Sequence, residues 1–460
     1  MKKIIIFLAS IILVLIILAF LSPNIIENIW DSRKIISYDK RQLIKKYITP
    51  FFMINQLEEQ VEEKQKRINK ILPQLESLFQ KSQVDIEMKE DDDVKLSNNR
   101  TLKKKNLING FYYGIFPVTN NIDPGSGYID FYQDKLFLLS SRGVLAFTDN
   151  INDNLNFKQI EHNIDEFIGL EQFKKSKTLS VKDLFIKKDK IFISYTEEIK
   201  EDCWNTSIIY GNINYENIKF EKFFSNKKCI HSINNVDGEF TGHQSGGRIV
   251  NFDNNHILLT VGEYRSRYLA QEIESINGKI LKININDSSY QIISMGHRNN
   301  QGLYFDQENN FLLATEHGPE GGDEINLIEV NKINSDNPLN FGWPIVSAGE
   351  HYKGKTKQNE KKYKKYPLFK SHTEHGFIEP LISFVPSIGI SEISKINKNI
   401  YVASSLRDRS LYFFELNIEK KLVNLERVEV FERVRDIFFK DDKLYLFLED
   451  TNSIGIIFFD

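Results

Sequence analysis

The sequence predicts an all-β fold: a six-bladed β-propeller preceded by an N-terminal transmembrane helix and a short amphipathic helix. Three observations lead there. A unit of apolar strand, Asp/Asn/Lys turn and second apolar strand recurs six times after residue 106. The 460 residues include 34 Phe and 19 Tyr among abundant Ile and Asn, a mixture that favours strands and turns over helices. The one long apolar run stands at the very start of the chain.

Lys2 and Lys3 precede an unbroken apolar run from Ile4 to Leu21. Its length reaches the lower range for crossing a hydrocarbon core of about 30 Å. The two lysines stay cytoplasmic and send the remainder outward. A cleaved signal peptide is the competing reading, but the run ends Ala19-Phe20-Leu21-Ser22-Pro23, a poor A-x-A match. Residues 1–22 are therefore expected to be a single-pass inner-membrane anchor, with the rest of the chain periplasmic. Residues 23–105 are expected to be a helical stalk and a charged linker. Within them Ile54, Leu57, Val61, Ile68, Ile71, Leu75 and Leu78 make a heptad-like stripe on an otherwise charged helix, split near Pro73. That seam could join a homodimer. Residues 81–105, with Asp91-Asp92-Asp93 and Lys103-Lys104-Lys105, read as solvated linker, so the compact domain is expected over 106–460.

The six repeats begin with Tyr128–Phe131 turning into Lys135–Leu138, and Leu184–Ile186 into Lys190–Ile193. Arg248–Val250 into His256–Leu259 and Leu303–Phe305 into Phe311–Leu313 follow. Ile393–Ile396 into Asn399–Val402 and Ile437–Phe439 into Lys443–Leu446 complete the series. Each is a hairpin with a turn rich in Asp and Asn. Their spacing suits four-stranded blades with long loops around a central channel. The net charge of −3 gives no polyanion signal, so nucleic acid is excluded as an implied partner. Cys203 and Cys229 leave two readings open, a disulfide or two thiols, because sequence does not show their Cα separation.

Four stretches concentrate Gly, His, Arg and Asp: 242–248 (GHQSGGR), 296–302 (GHRNNQG), 316–326 (EHGPEGGDEIN) and 340–344 (NFGWP). Glycine lets a backbone approach a ligand closely, and loops gathered at one end of a propeller are a natural site. Arg407, Arg433 and Arg435 come later. Strand alternation puts Arg433 and Arg435 on one face, and converging guanidiniums imply a polyanionic ligand.

In these segments the chain resembles the soluble glucose/sorbosone dehydrogenases, which depend on pyrroloquinoline quinone. GHRNxQG, then EHGPxGGDEIN, then NFGWP, in that order, carry the resemblance. It implies an enzyme that oxidises an aldose or related sugar alcohol by hydride transfer to pyrroloquinoline quinone, with calcium beside the cofactor. His243 stands where the family has its general base, a role that suits an imidazole near neutral pH. Arg298 matches the arginine that polarises the quinone oxygens, and Asn299 its cofactor-binding neighbour. The carbonyls of Gly318 and Pro319 match the calcium ligands, oxygen donors suited to a hard cation. Ser387, Arg407, Arg433 and Arg435 match positions that hold the cofactor and its carboxylates. Asp323 and Glu324 match an acidic pair, with metal binding and loop ordering both open. Glu263 stands where a carboxylate is expected to orient the base.

There are departures. Gly242 replaces an Asp that contacts the sugar in glucose-specific members. Glu263 has one methylene more than the usual Asp, and the first blade lacks expected Pro-Trp and Pro-Glu features. Two function classes follow. One is a membrane-anchored oxidoreductase passing electrons to a periplasmic or membrane acceptor. The other is a non-catalytic propeller that binds a glycan or protein at the envelope. The His and Arg set favours the first, and the changes at Gly242 and Glu263 favour the second or an altered substrate.

Overall fold

The computed structural model describes residues 83–108, 126–151, 156–176, 178–334, 336–352 and 359–459, with short stretches elsewhere. Residues 1–67 and 68–460 form separate compact units. The apolar run 4–21 lies outside the described residues, as does most of the stripe 54–78, of which Gln60–Lys64 are helical. Among the described residues no helix is long and apolar enough to cross a membrane.

The second unit is built from strands. All six expected hairpins form, each in antiparallel register. The first strand of each is labelled here, with two N-terminal strands before them: β1 (Ile86–Glu90), β2 (Thr101–Leu107), β3 (Gly127–Tyr132), β4 (Val181–Lys187), β5 (Gly246–Asn251), β6 (Asn300–Asp306), β7 (Ile390–Asn397) and β8 (Val434–Lys440). Each of β3 to β8 leads a run of four consecutively paired strands. Apolar clusters fill the spaces between successive runs. One joins Phe137 and Leu139 to Val181 and Ile193, and the next joins Phe192 and Ile208 to Ile249 and Leu259. Others join Leu258 and Ile280 to Leu303 and Leu312, and Leu313 and Ile325 to Ile390 and Tyr401. The last two join Val402 and Leu411 to Val434 and Leu444, and Tyr445 and Phe447 to Ile129 and Leu138. The final cluster returns to the first hairpin.

The expected charged linker over 81–105 is corrected. β2 is the fourth strand of the last run, pairing Leu102 with Ile457 and Lys105 with Ile454. β1 pairs with β2 and with Asn156–Gln159, so the last and first runs join in one sheet of ten strands. The lysine run hid the strand because its period of two is masked by charge. Leu102 is buried, and Lys104, only 8% exposed, carries its ammonium to Glu432 at 2.7 Å and Asp91 at 3.0 Å. Lysine stems can lie along apolar surface while the head finds a partner. Cys203 and Cys229 are joined in a disulfide, with Cα atoms 5.3 Å apart.

Polar side chains tie the leading strands to one another. Asp436 of β8 accepts from Ile129 N, Asp130 of β3 from Ile186 N, and Asp183 of β4 from Ile249 N. Thr260 donates to Asn300 O, Thr315 to Ser391 O, and Ser391 to Val434 O. Arg248 of β5 stands among three carboxylates from other strands. It meets Asp183 at 2.6 Å, Asp436 at 2.9 Å, and Glu392. Burial pushes the Asp183 carboxyl up to about 7 and raises those of Glu392 and Asp436, because one guanidinium cannot offset three desolvated acids.

Two predictions follow from this construction. A chain starting at Lys81 keeps β1 and β2 and is expected to melt cooperatively by circular dichroism. One starting at Ile108 lacks both and is expected to melt at least about 10 °C lower or not to fold. Arg248→Met strands the buried acids and is expected to cost about 3–5 kcal/mol in urea unfolding at pH 8. The loss should be smaller at pH 5, where the acids take up protons.

Candidate active site

The first turn of the site is a 3-10 segment, Gly242–Gln244, entered from Thr241, whose hydroxyl accepts from His243 N at 3.3 Å. His243 is exposed and Gln244 buried. Gly242 has no room for a side chain, since a Cβ would lie 2.7 Å from both Thr178 O and Thr178 Oγ1. The chain then enters β5 with its leading residues against the neighbouring strands.

Glu263 is fully buried two residues beyond the second strand of that hairpin, which ends at Val261. With the Gln244 amide assigned so that its nitrogen faces Glu263, Oε1 accepts from that nitrogen and the amide oxygen accepts from Arg298 Nη2 at 2.6 Å. The carboxylate expected to orient His243 thus engages the next residue and, through it, Arg298. Burial pushes the Glu263 carboxyl up to about 7, against the pull of Arg267 and Arg298.

Arg298 is 4% exposed and held on several sides. Its Nη1 donates to His317 O at 2.8 Å and its Nη2 to the Tyr352 hydroxyl at 3.2 Å. The guanidinium lies over the Trp343 ring at 5.4 Å and the Tyr352 ring at 5.9 Å, both within cation–π range. Glu316 fixes this segment from below. It accepts from Arg298 N and from His297 Nδ1, while His297 Nε2 meets Ser294 Oγ at 2.8 Å. His297 is therefore a buttress with both ring nitrogens engaged.

Asn299 Oδ1 accepts from Gly246 N at 3.0 Å and from Gln301 Nε2 at 3.1 Å. Gln301 Oε1 in turn accepts from Arg435 at 3.1 Å. Glu449 bridges the two late arginines, taking Arg435 Nε at 2.6 Å and Arg433 Nε at 3.0 Å. A continuous polar chain therefore runs from Arg433 to Gly246, just past the His243 turn, and touches β8, β6 and β5.

Asp323 joins the remaining loops. Its Oδ1 accepts from Gly318 N at 2.9 Å, and its Oδ2 from Gly389 N at 2.6 Å and Ile390 N at 3.1 Å. This carries the Gly318-Pro319 turn and the Ser387 loop together, and the Arg407 backbone joins at Ile388 O, 3.0 Å away. Asp323 thus orders the loops. Glu324 faces Asn326, and burial beside Glu316 holds its carboxyl well above the usual range. No three His, Cys, Asp or Glu side chains form a metal-holding group among the described residues.

Sequence reasoning missed Gln244, Gln301, Glu316, Tyr352 and Glu449. Gln244 and Gln301 lie inside the motifs already singled out, where their neighbours drew attention. Glu449 carried no signal, because its partners are visible only after two strands pair.

Against known proteins, the family model described as Glucose / Sorbosone dehydrogenase matches residues 177–457. Aldose sugar dehydrogenase YliI of Escherichia coli (strain K12) is 24% identical over 290 residues, covering 58% of this chain and 72% of that protein. The solved structure of the soluble aldose sugar dehydrogenase from Escherichia coli in its apo-form aligns with a TM-score of 0.55 and 19% identity, over 73% of this chain and 96% of that one. The PQQ-bound aldose sugar dehydrogenase from Streptomyces coelicolor aligns with a TM-score of 0.52 and 17% identity, over 73% and 99%. Those structural likenesses speak for the fold.

The raised Glu263 carboxyl gives a prediction with a definite sign. A carboxyl raised in the folded state favours folding fully below its unfolded value of about 4.3, and that contribution is lost as pH rises to about 7. Glu263→Gln removes the ionisation, so the variant is expected to gain on the wild type by up to about 3 kcal/mol between pH 4.5 and 7.5. Urea unfolding of both proteins across that range measures it; parallel stability curves would refute the assignment.

Proposed function

Because the chain belongs to the glucose/sorbosone dehydrogenase family, we propose that it is an exported, membrane-anchored oxidoreductase that oxidises an aldose or related sugar at a CH–OH group. The scaffold is read as a six-bladed propeller, its blades led by β3 to β8, with the site over one end of those strands. The anchor is residues 1–22, and electrons leave to a periplasmic or membrane acceptor. The Cys203–Cys229 disulfide supports export, since such bonds persist in oxidising compartments.

The observation that carries the reading is the polar chain from Arg433 through Arg435, Gln301 and Asn299 to Gly246, just past the His243 turn, with Arg298 beside it. A buried guanidinium at Arg298 with the half-buried Arg433 and Arg435 suits a ligand with several carboxylates. The residues also fit in detail. Ser387 Oγ, His317 Nε2 and one Glu263 oxygen are buried without a hydrogen-bond partner. Groups left so are costly unless something supplies the missing bond.

Pyrroloquinoline quinone, with calcium on the carbonyls of Gly318 and Pro319, would supply the hydride acceptor and the Lewis acid when bound. The protein's own work is positioning and proton handling. His243 takes the proton from the sugar hydroxyl at its ring nitrogen. Arg298, clamped between Trp343 and Tyr352, presents positive charge where oxygens become electron-rich. Asn299, Ser387, Arg407, Arg433 and Arg435 bind and orient the carboxylated ligand. Asp323 holds the Gly318 turn against the Ser387 loop, and Glu263 positions Gln244 and, through it, Arg298. The walled-in Gly242 leaves the sugar-contacting side chain absent, so the substrate is expected to differ from that of glucose-specific relatives.

Reconstitution of the full chain with pyrroloquinoline quinone and calcium, followed by absorbance as aldoses are added, tests the proposal. Tight, calcium-dependent uptake and sugar-driven reduction are expected. His243→Ala is expected to lower kcat by about 10²–10⁴-fold with cofactor uptake intact. Uptake without reduction by any sugar keeps the cofactor assignment and overturns the substrate class, and failure of uptake overturns the enzyme reading in favour of the non-catalytic binding propeller.

A further inference from the structure

The leading strands share a detail that singles out one more residue. In five of the six leading strands, β3 being the exception, pairing with the hairpin partner slips near the start of the strand: between Val181 and Asp183 in β4, Gly246 and Ile249 in β5, and Asn300 and Gly302 in β6. The same slip recurs between Ile390 and Ile393 in β7 and between Val434 and Asp436 in β8. Such a bulge releases a residue from the ladder and re-aims its side chain, and bulges are over-represented beside active sites. In β8 the released residue is Arg435, in β6 Gln301, and in β4 Lys182.

Lys182 and Arg435 therefore hold equivalent places. Each is followed by an aspartate, Asp183 or Asp436, that pairs with Arg248 and accepts an amide from the next strand. The Lys182 stem lies on Gly247, where an added Cβ would fall 2.3 Å from Lys182 Cβ. Its ammonium donates to Thr178 O at 2.7 Å and Gly242 O at 3.0 Å, both neutral acceptors, the second belonging to the residue before His243. Burial, with the Arg435 and Arg142 guanidiniums acting in the same sense, pushes its pKa down to about 7. A half-buried cation held among cations, on neutral acceptors, lacks the counter-charge that would offset its desolvation.

We propose that Lys182 is a further ligand-binding residue of this site, its ammonium taking a carboxylate of the molecule that sits between Arg435 and the His243 turn. The inference rests on the reading that the ligand binds over the leading strands. A carboxylate there could come from the quinone cofactor or from an acidic sugar. Gly242 has no space for a side chain, and Lys182, bonded to its carbonyl, brings a charge to this turn opposite in sign to the aspartate of glucose-specific relatives.

The test uses the full chain as wild type, Lys182→Met and Lys182→Arg, each first checked for its melting transition. Affinity of the apoprotein for pyrroloquinoline quinone is titrated by absorbance, and KM is measured for glucose and for glucuronate. A tenfold or greater loss of cofactor affinity in Lys182→Met, restored in Lys182→Arg, assigns the carboxylate to the cofactor. Unchanged cofactor affinity with a tenfold rise in KM for glucuronate alone assigns it to the substrate. Unchanged affinity and KM values overturn the proposal. So does an equal fall in kcat for both sugars with affinities intact, which would confine Lys182 to holding the Gly242 carbonyl. If the wild type takes up no quinone, the dehydrogenase reading has failed by itself. Lys182 is then judged by the rise in melting temperature that citrate gives the apoprotein: a rise lost in Lys182→Met supports it, and no such difference overturns it.

Discussion

One buried guanidinium holds the centre of this protein. Arg248 projects from β5 into contact with Asp183 of β4, Glu392 of β7 and Asp436 of β8, so strands far apart in the chain share a single counter-ion. Each acid has a second duty. Asp183 and Asp436 accept a backbone amide from the following strand, and Glu392 accepts those of Leu303 and Ile393. The leading strands cannot shift along one another without opening both kinds of bond in a medium where neither is replaced by water. Apolar packing between successive runs of strands supplies the bulk of the cohesion, but it is non-directional. The charge cluster is what specifies register around the centre.

That rigidity is what the site above it uses. The polar chain takes Gly246, Gln301 and Arg435 from β5, β6 and β8, with Asn299 and Arg433 in the residues just before β6 and β8 and Glu449 just beyond the strand paired with β8. A site built this way needs little help from its loops. Asp323 is the exception, tying two loops to one another through three backbone amides. Precision of this kind matters because an ångström of misplacement at a reacting centre can cost orders of magnitude in rate.

The electrostatics of the site follow from its burial. Glu263 and Lys182 are both driven toward the midpoint of their titrations near neutral pH, one from below and one from above, because desolvation disfavours either charge. Perturbed groups of this kind cluster where ligands bind, since the bound molecule supplies what the protein withholds. The Arg298 guanidinium keeps its place by a different route, between two aromatic faces and a carbonyl.

Local chemistry was enough to read the six hairpins, because strand alternation and Asp/Asn turns act between residues a few positions apart. It was also enough to bring out the glycine-rich segments and His243, Arg298, Asn299, Arg433 and Arg435, whose order along the chain carries the family resemblance. The sequence did not determine that the lysine-rich stretch before residue 106 is a strand, because its partner Ser453–Phe458 lies at the far end of the chain. Nor did it reveal Arg248 as the hub: its bond to Asp436 spans 188 residues. Glu263 was read as the partner of His243, and only the packed structure turned it to Gln244. Lys182 stayed unnoticed as an ordinary lysine at a strand start until a bulge aimed it inward. Closure of the sheets and pairing of buried charges depend on which distant groups share a space that excludes water, and that is decided only when the chain is folded.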